Sequence, residues 1–265
     1  MPLADVGATA ALVVLLLAGS CYYHARREGA FVLCLTTLAQ IVAFAACYIV
    51  LMYGLATLAW PLADDQLAAF DDWCGLTAPV VRHWADAHPA IATLLNAAYD
   101  TLLIQTAVVV AVLGLSNDRP RLTGFLLAFM LAALLALGLF VVLPAEGPFA
   151  RFGFAASHDQ ATFLEHFQTL RDGSRRGVSL RTTEGLITFP SFHVTWAILL
   201  AWSFRGRWYL FLPGVVLNSL IVVSTMTSGW HYFADVLGGA AVAAAAIGMT
   251  CLAKPGRHSS PCGAG

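Results

Sequence analysis

The sequence is short of charge. Only 11% of its 265 residues are Asp, Glu, Lys or Arg, against about 25% in soluble domains. Such a chain cannot cover a surface that faces water. With 59% hydrophobic residues and a mean hydropathy of +0.76, its solvent must be lipid. Basic runs are missing too, and the formal net charge is −1, which excludes nucleic acid as a partner. No Lys or Arg precedes the first apolar run, where Asp5 is the one charged side chain. The pattern of a cleaved leader is therefore absent, and the run reads as a retained span. Cys21, Cys34, Cys47, Cys74, Cys251 and Cys262 show no CxxC spacing and read as small apolar side chains rather than disulfides or metal ligands. There is no internal repeat and no soluble domain.

What is present is a series of apolar runs. A membrane-crossing helix needs about 20 apolar residues. Seven runs qualify or come close: Val6–Tyr23, Phe31–Leu58, Ile91–Leu115, Leu122–Val142, Ile187–Phe204, Trp208–Met226 and Tyr232–Leu252. The fifth and sixth are short, with a re-entrant hairpin as the alternative. Arg26 and Arg27, Arg119 and Arg121, Arg205 and Arg207, and Lys254 with Arg257 separate or follow the runs. Seven spans put all four pairs on one side, which the excess of cytoplasmic positive charge makes the inside. The expected architecture is an all-α polytopic bundle of about seven transmembrane helices, with short interfacial helices on the external side. Two longer external loops follow from it. Trp60–Pro89 is acidic, with Asp64, Asp65, Asp71, Asp72 and Asp86. Leu143–Leu186 carries Arg151, Arg171, Arg175, Arg176 and Arg181, and Phe163, Leu164, Phe167 and Leu170 recur there at helical spacing. His158, Glu165 and His166 read as the solvated face of that helix. Residues 1–59 are expected to be N-terminal spans, 60–252 the catalytic membrane domain, and 253–265 a disordered cytoplasmic tail.

Two motifs carry chemistry. Phe189-Pro190-Ser191-Phe192-His193 opens the fifth run, and Ser228-Gly229-Trp230-His231-Tyr232-Phe233-Ala234-Asp235 opens the seventh, with Gly238 and Gly239 following. The topology brings both openings to the external face at one depth, although only Arg and Lys were used to build it. His231 and Asp235 are four apart and share a helix face. A carboxylate there can accept one ring N–H, fix the tautomer and leave the other nitrogen as a nucleophile. Pro190 suits a first helical turn. The N–H groups of Ser191, Phe192 and His193 would then form an anion site, with His193 beside it as proton donor.

Pro190-Ser191-Phe192-His193 and His231-Tyr232-Phe233-Ala234-Asp235 resemble the type-2 phosphatidic acid phosphatase superfamily. Within it they are most similar to the branch of inositol phosphorylceramide synthase and sphingomyelin synthase. Tyr99 with Gln105, Leu143-Pro144-Ala145-Glu146-Gly147-Pro148 and Glu184-Gly185-Leu186-Ile187-Thr188 resemble bacterial members of that branch. The resemblance implies a phosphohistidine on His231, orientation by Asp235, and acid–base work by His193. It also implies a lipid phosphate or phospholipid substrate, with a lipid or polyol acceptor if the reaction is transfer, and no cofactor or metal. The setting would be a bacterial inner membrane, with the site facing the periplasm or exterior. One departure stands out. Phosphatase members carry Ser-Arg seven and six residues before the nucleophile, where this chain has Ser224 and Thr225. The upstream Lys…Arg-Pro motif is missing as well, and Arg119-Pro120 falls on the cytoplasmic side. Substrate charge must then be met elsewhere. Arg175, Arg176 and Arg181 are the candidates, with Ser191, Phe192 and Tyr232 as further substrate contacts.

Bland readings compete. A lone interfacial His is usually structural, but two at one depth with a carboxylate a turn inside a span are expensive without a task. Two His and an Asp could ligate a metal, or relay protons in a transporter, though no further ligand sits nearby and ionisable residues are scarce inside the spans. Glu146 reads as a rigid loop corner, and Asp100 as a weak candidate behind the site.

Overall fold

A computed structural model describes residues 3–175, 177, 179–180 and 182–253. Every regular element among them is a helix. In chain order these are α1 (Leu3–Ala25), α2 (Gly29–Ala56), α3 (Asp64–Cys74), α4 (Ala78–Ala87), α5 (Pro89–Tyr99), α6 (Leu102–Leu115), α7 (Arg119–Val142), α8 (Pro148–Phe152), α9 (His158–Arg171), α10 (Phe192–Ser203), α11 (Trp208–Thr227) and α12 (Phe233–Leu252). Apolar side chains such as Val14, Leu15, Leu103, Ile104 and Val216 stand exposed on the long helices, as lipid-facing residues must. The chain is thus an all-α polytopic membrane protein.

The count of spans differs from the sequence reading. Five helices are long and apolar enough to cross a bilayer: α1 from Asp5, α2, α7, α11 and α12. The third apolar run is broken at Asp100, where α5 and α6 meet at 43°, and the pair makes a sixth span if taken as one. The fifth run, Ile187–Phe204, yields only the 12 residues of α10. At 1.5 Å per residue that helix is about 18 Å long, short of a hydrocarbon core of about 30 Å. The cause is local: the chain is not yet helical at Pro190, and α10 begins two residues later. The remaining run boundaries agree with the helices to within a few residues. The tail from 254 onward lies outside the described residues. Cys21, Cys34, Cys47 and Cys74 are free thiols, whereas Cys251 is disulfide-bonded, contrary to expectation.

The chain divides into two compact units. The first comprises Met1–Trp60, Ala107–Leu126 and Ser157–Leu186. In it α1 and α2 form a hairpin, and α9, which buries Phe163, Phe167 and Leu170, packs on α2. A reciprocal cap between Ser157 and Gln160 starts α9. Only His158 and Glu165 lie on the solvated face expected of this helix. His166 is buried, with Nδ1 2.9 Å from the Tyr53 hydroxyl and Nε2 2.7 Å from the Arg175 guanidinium.

The second unit comprises Pro61–Thr106, Leu127–Ala156 and Ile187–Gly265. Here α11 packs against α5 and α10, and α10 packs against α12. Ser224 on α11 bonds Asn96, and Asn218 bonds Gln105, so the chain from α5 into α6 runs antiparallel to α11. Trp196 on α10 donates its indole N–H to Thr106. Paired polar groups of this kind keep helices in register where lipid offers no alternative partner. The Arg205–Arg207 connection lies at the far end of α10 from His193, and α12 starts beside the start of α10.

Candidate active site

Two helix starts build the site, and their local structure explains the convergence. Ser191 is the N-cap of α10, its hydroxyl accepting the Val194 N–H at 3.4 Å. The Ser191 N–H donates to the backbone carbonyl of Asp235 at 3.0 Å. One turn on, the Thr195 hydroxyl reaches the Gly239 carbonyl at 2.9 Å. The helices touch backbone to backbone because residue 239 has no side chain: a Cβ there would lie 2.4 Å from the Ser191 carbonyl oxygen. The crossing brings the His193 and His231 rings to a centroid separation of 6.2 Å, inclined by 54°. His193 stacks on Tyr99 at 4.3 Å and 21°, which fixes its ring plane.

His231 lies just before the N-cap of α12, so it does not share a helix face with Asp235 as expected; the turn into the helix brings the two together instead. Its Nδ1 lies 3.1 Å from Asp235 Oδ2, which also accepts the Tyr232 N–H at 2.9 Å. The backbone N–H of His231 donates to the Thr225 carbonyl at 3.1 Å, folding the α11–α12 connection back on itself. His231 is 3% exposed and Asp235 is fully buried. Burial pushes the His231 imidazole below the ordinary histidine range, to about 4, with the Thr188 backbone carbonyl acting the other way. The ring is therefore neutral at pH 7, the state a nucleophile requires.

Around this pair lies a shell the sequence reading missed. On α3, Asp64, Leu67, Ala68 and Asp71 form the buried stripe, so two carboxylates point inward. Asp71 accepts the N–H groups of Phe233 and Ala234 at 2.8 and 2.9 Å. Asp64 accepts those of Glu146 and Gly147 and the Tyr232 hydroxyl, each at 2.9 Å. Hydrogen bonds to charged acceptors contribute about 1.5–3 kcal/mol each, and they offset part of the cost of burying the carboxylates. Burial raises the Asp71 carboxyl above its ordinary range, while the Ala234 and Phe233 N–H groups pull it down. The 144–149 segment closes over the same loop. Phe149 N–H donates to the Gly229 carbonyl at 3.1 Å, and Gly147, at φ +98°, passes so near that a Cβ would meet the Trp230 carbonyl oxygen at 2.9 Å. Glu146 is thus a loop corner, as expected. The signal for Asp64 and Asp71 was available: they stand seven apart, in phase with Leu67 and Ala68.

Other expected site residues fall differently. The Ser191 N–H is taken by the Asp235 carbonyl, so that backbone donor is not open to an anion as expected. Pro190 precedes the N-cap instead of occupying the first turn. Phe192 packs edge-on against Phe129. Tyr232, expected to contact substrate, is fully buried with its hydroxyl on Asp64. Asp100 is exposed at the break after α5, next to Tyr99. Arg175 belongs to the first unit and is engaged with His166 and Glu165. Arg176 and Arg181 lie outside the described residues. In the second unit Arg151 on α8 pairs with the exposed Asp65, and it is coupled electrostatically to Tyr232 and Asp64. Among the described residues no group of three or more His, Cys, Asp or Glu side chains is arranged to hold a metal ion.

The fold and site define a helical membrane protein with two histidines gathered at adjoining helix starts. The chain belongs to the PAP2 superfamily, whose sequence profile matches residues 65–249, from the start of α3 through most of α12. No curated protein and no solved structure matches the chain. Membership implies phosphatase or phosphotransferase activity on phosphate esters.

Proposed function

We propose that the protein is a lipid phosphotransferase or phosphatase that works through a phosphohistidine on His231, with a phosphodiester as its preferred substrate. The observation that carries this reading is the His231–Asp235 pair with the His193 ring 6.2 Å from His231. Asp235 takes the Nδ1–H and leaves the lone pair on Nε2. That nitrogen attacks phosphorus in line; the P–N bond forms as the P–O bond to the leaving group breaks. His193, which takes up a proton beside the anionic phosphate of the bound substrate, gives it to the departing oxygen. Neutral His193 then removes a proton from water, or from a lipid or polyol hydroxyl, whose oxygen attacks phosphorus and releases His231. Each cycle returns both rings to their starting protonation, so no cofactor or metal enters the scheme.

Charge favours the diester and, with it, the transferase branch of the superfamily. Position 225 is a buried Thr whose hydroxyl bonds the Val222 carbonyl, where phosphatase relatives place Arg. Asp71 already occupies the first N–H groups of α12, so that helix start is closed to an anion. A diester carries one negative charge and a monoester up to two. Arg151, for which the substrate phosphate would compete with Asp65, is the cation that acts electrostatically on Tyr232 and Asp64 beside the catalytic loop. The catalytic segment then runs from about residue 60 to 252. Arg205 and Arg207, at the opposite end of α10, support an external site by the positive-inside rule.

The test is a panel of labelled lipid monoesters and diesters, with and without polyol or lipid hydroxyl acceptors, in excess chelator. The expected result is headgroup transfer from a diester, faster than monoester hydrolysis and unaffected by chelation. Monoester hydrolysis alone, with no product from any acceptor, would replace the transferase reading with a phosphatase. Loss of activity in chelator with recovery on added zinc or manganese would replace it with a metal mechanism.

A further inference from the structure

We propose that Asp71 and Asp64 are positioning residues of the phosphoryl-transfer step, forming with Tyr232 a brace from α3 that sets the first turn of α12 and so aims His231. The proposal rests on the His231 reading above, and five hydrogen bonds carry it. Asp71 receives the N–H groups of Phe233 and Ala234, the two residues that start α12. Asp64 receives the hydroxyl of Tyr232, the residue next to His231, together with the N–H groups of Glu146 and Gly147. The Glu146–Gly147 turn in turn passes so close to the Trp230 carbonyl that a Cβ at residue 147 would lie 2.9 Å from its oxygen, and the Phe149 N–H bonds the Gly229 carbonyl, both on the other side of His231. His231 is therefore gripped through both chain neighbours by one helix lying more than 150 residues earlier in the chain. Asp71 is 1% exposed and Asp64 8%, so neither carboxylate is there for solubility.

The chemistry needs this. In-line attack tolerates little error, and a displacement of about 1 Å can cost about 100-fold in rate. The Asp235 side chain fixes the rotation of the His231 ring and caps the start of α12, but it lies on α12 itself and cannot anchor that start to another helix. Both oxygens of Asp71 must accept. An Asn there would accept with one oxygen and turn N–H groups against an N–H, which releases half of the grip.

Asp71→Asn, Tyr232→Phe and, as a control on the same helix, Asp72→Asn would be compared with the wild-type full-length protein in detergent. Asp72 is exposed and outside the brace. The readouts are steady-state kcat and KM on a labelled phosphodiester, the single-turnover rate of phosphoenzyme formation, and the thermal midpoint. Asp71→Asn is expected to lower kcat and the single-turnover rate about 100-fold, with KM within about threefold. Tyr232→Phe, which removes one hydroxyl and leaves the other Asp64 contacts, is expected to lower them about tenfold. Asp72→Asn is expected to match the wild type. Should Asp71→Asn fail to fold, Tyr232→Phe decides alone. The proposal is overturned if kcat per folded molecule stays within about threefold of wild type in the braced variants, or if the loss falls on KM. If the wild type forms no phosphoenzyme, the His231 reading fails separately, and the kcat series still decides the brace.

Discussion

His166 in the first unit and His231 in the second are alike in burial, at 4% and 3% exposed, and opposite in chemistry. A neutral imidazole has one N–H and one lone pair to offer. Arg175 has only donors, so at 2.7 Å it takes the lone pair of His166 Nε2, and Nδ1–H is left to face the Tyr53 oxygen. That ring has nothing more to give. Asp235 has only acceptors, so it takes the N–H of His231 and leaves the lone pair for phosphorus. Burial does not make a histidine reactive; the sign of its partner does. The burial of His166, reinforced by the Arg175 charge, lowers its affinity for a proton and makes it a structural pin between α2 and α9.

The largest expected contrast follows directly. His231→Ala should lower kcat by about 10⁴-fold or more, as loss of a nucleophile does. His166→Ala should leave kcat per folded molecule within about threefold, while stability drops by about 1–3 kcal/mol because Tyr53 and Arg175 lose a buried partner. Assays normalised to folded protein, with thermal midpoints alongside, check both; equal losses of activity would erase the distinction. Next in size are the cations. Arg151→Gln should raise KM for the diester about tenfold, the worth of one charged hydrogen bond, and Arg205→Gln at the far end of α10 should leave it unchanged. Smallest is a pH effect. The folded-state pKa of His166 is lowered, so the neutral ring contributes stability above the unfolded value of about 6.5, and that stability is lost as pH falls. The thermal midpoint should therefore decline from pH 7 to 5, and less steeply in His166→Gln. The burial of His231 has the same sign and would keep some slope in that variant.

The dyad was legible in the sequence because its two members are only four residues apart, although His231 lies before the N-cap of α12 and meets Asp235 across the helix start, not along one helix face. The approach of His193 was legible through the charge pattern of the connections, whereas the role of Gly239 in the crossing was not. Long-range contacts were not. Asp64 and Asp71 sat in a segment whose net acidity read as solvation, and nothing near them names Tyr232, Phe233 or Ala234 as partners. His166 read as solvated for the same reason, since Tyr53 is more than 100 residues away. Hydropathy could not see backbone geometry inside two of the seven runs, at the break after Tyr99 and in the non-helical entry to α10. The Ser191 N–H was misread as open because its acceptor, the Asp235 carbonyl, lies on another helix.

The central claim is that His231 carries the phosphoryl group. The most direct measurement is to incubate the protein with a headgroup-labelled diester bearing an activated leaving group, quench in alkali and map the label. An acid-labile, alkali-stable phosphoryl group is expected on the peptide that contains His231, present in the wild type and in His193→Ala and absent from His231→Ala. Label on the His193 peptide, or label retained by His231→Ala, would contradict it.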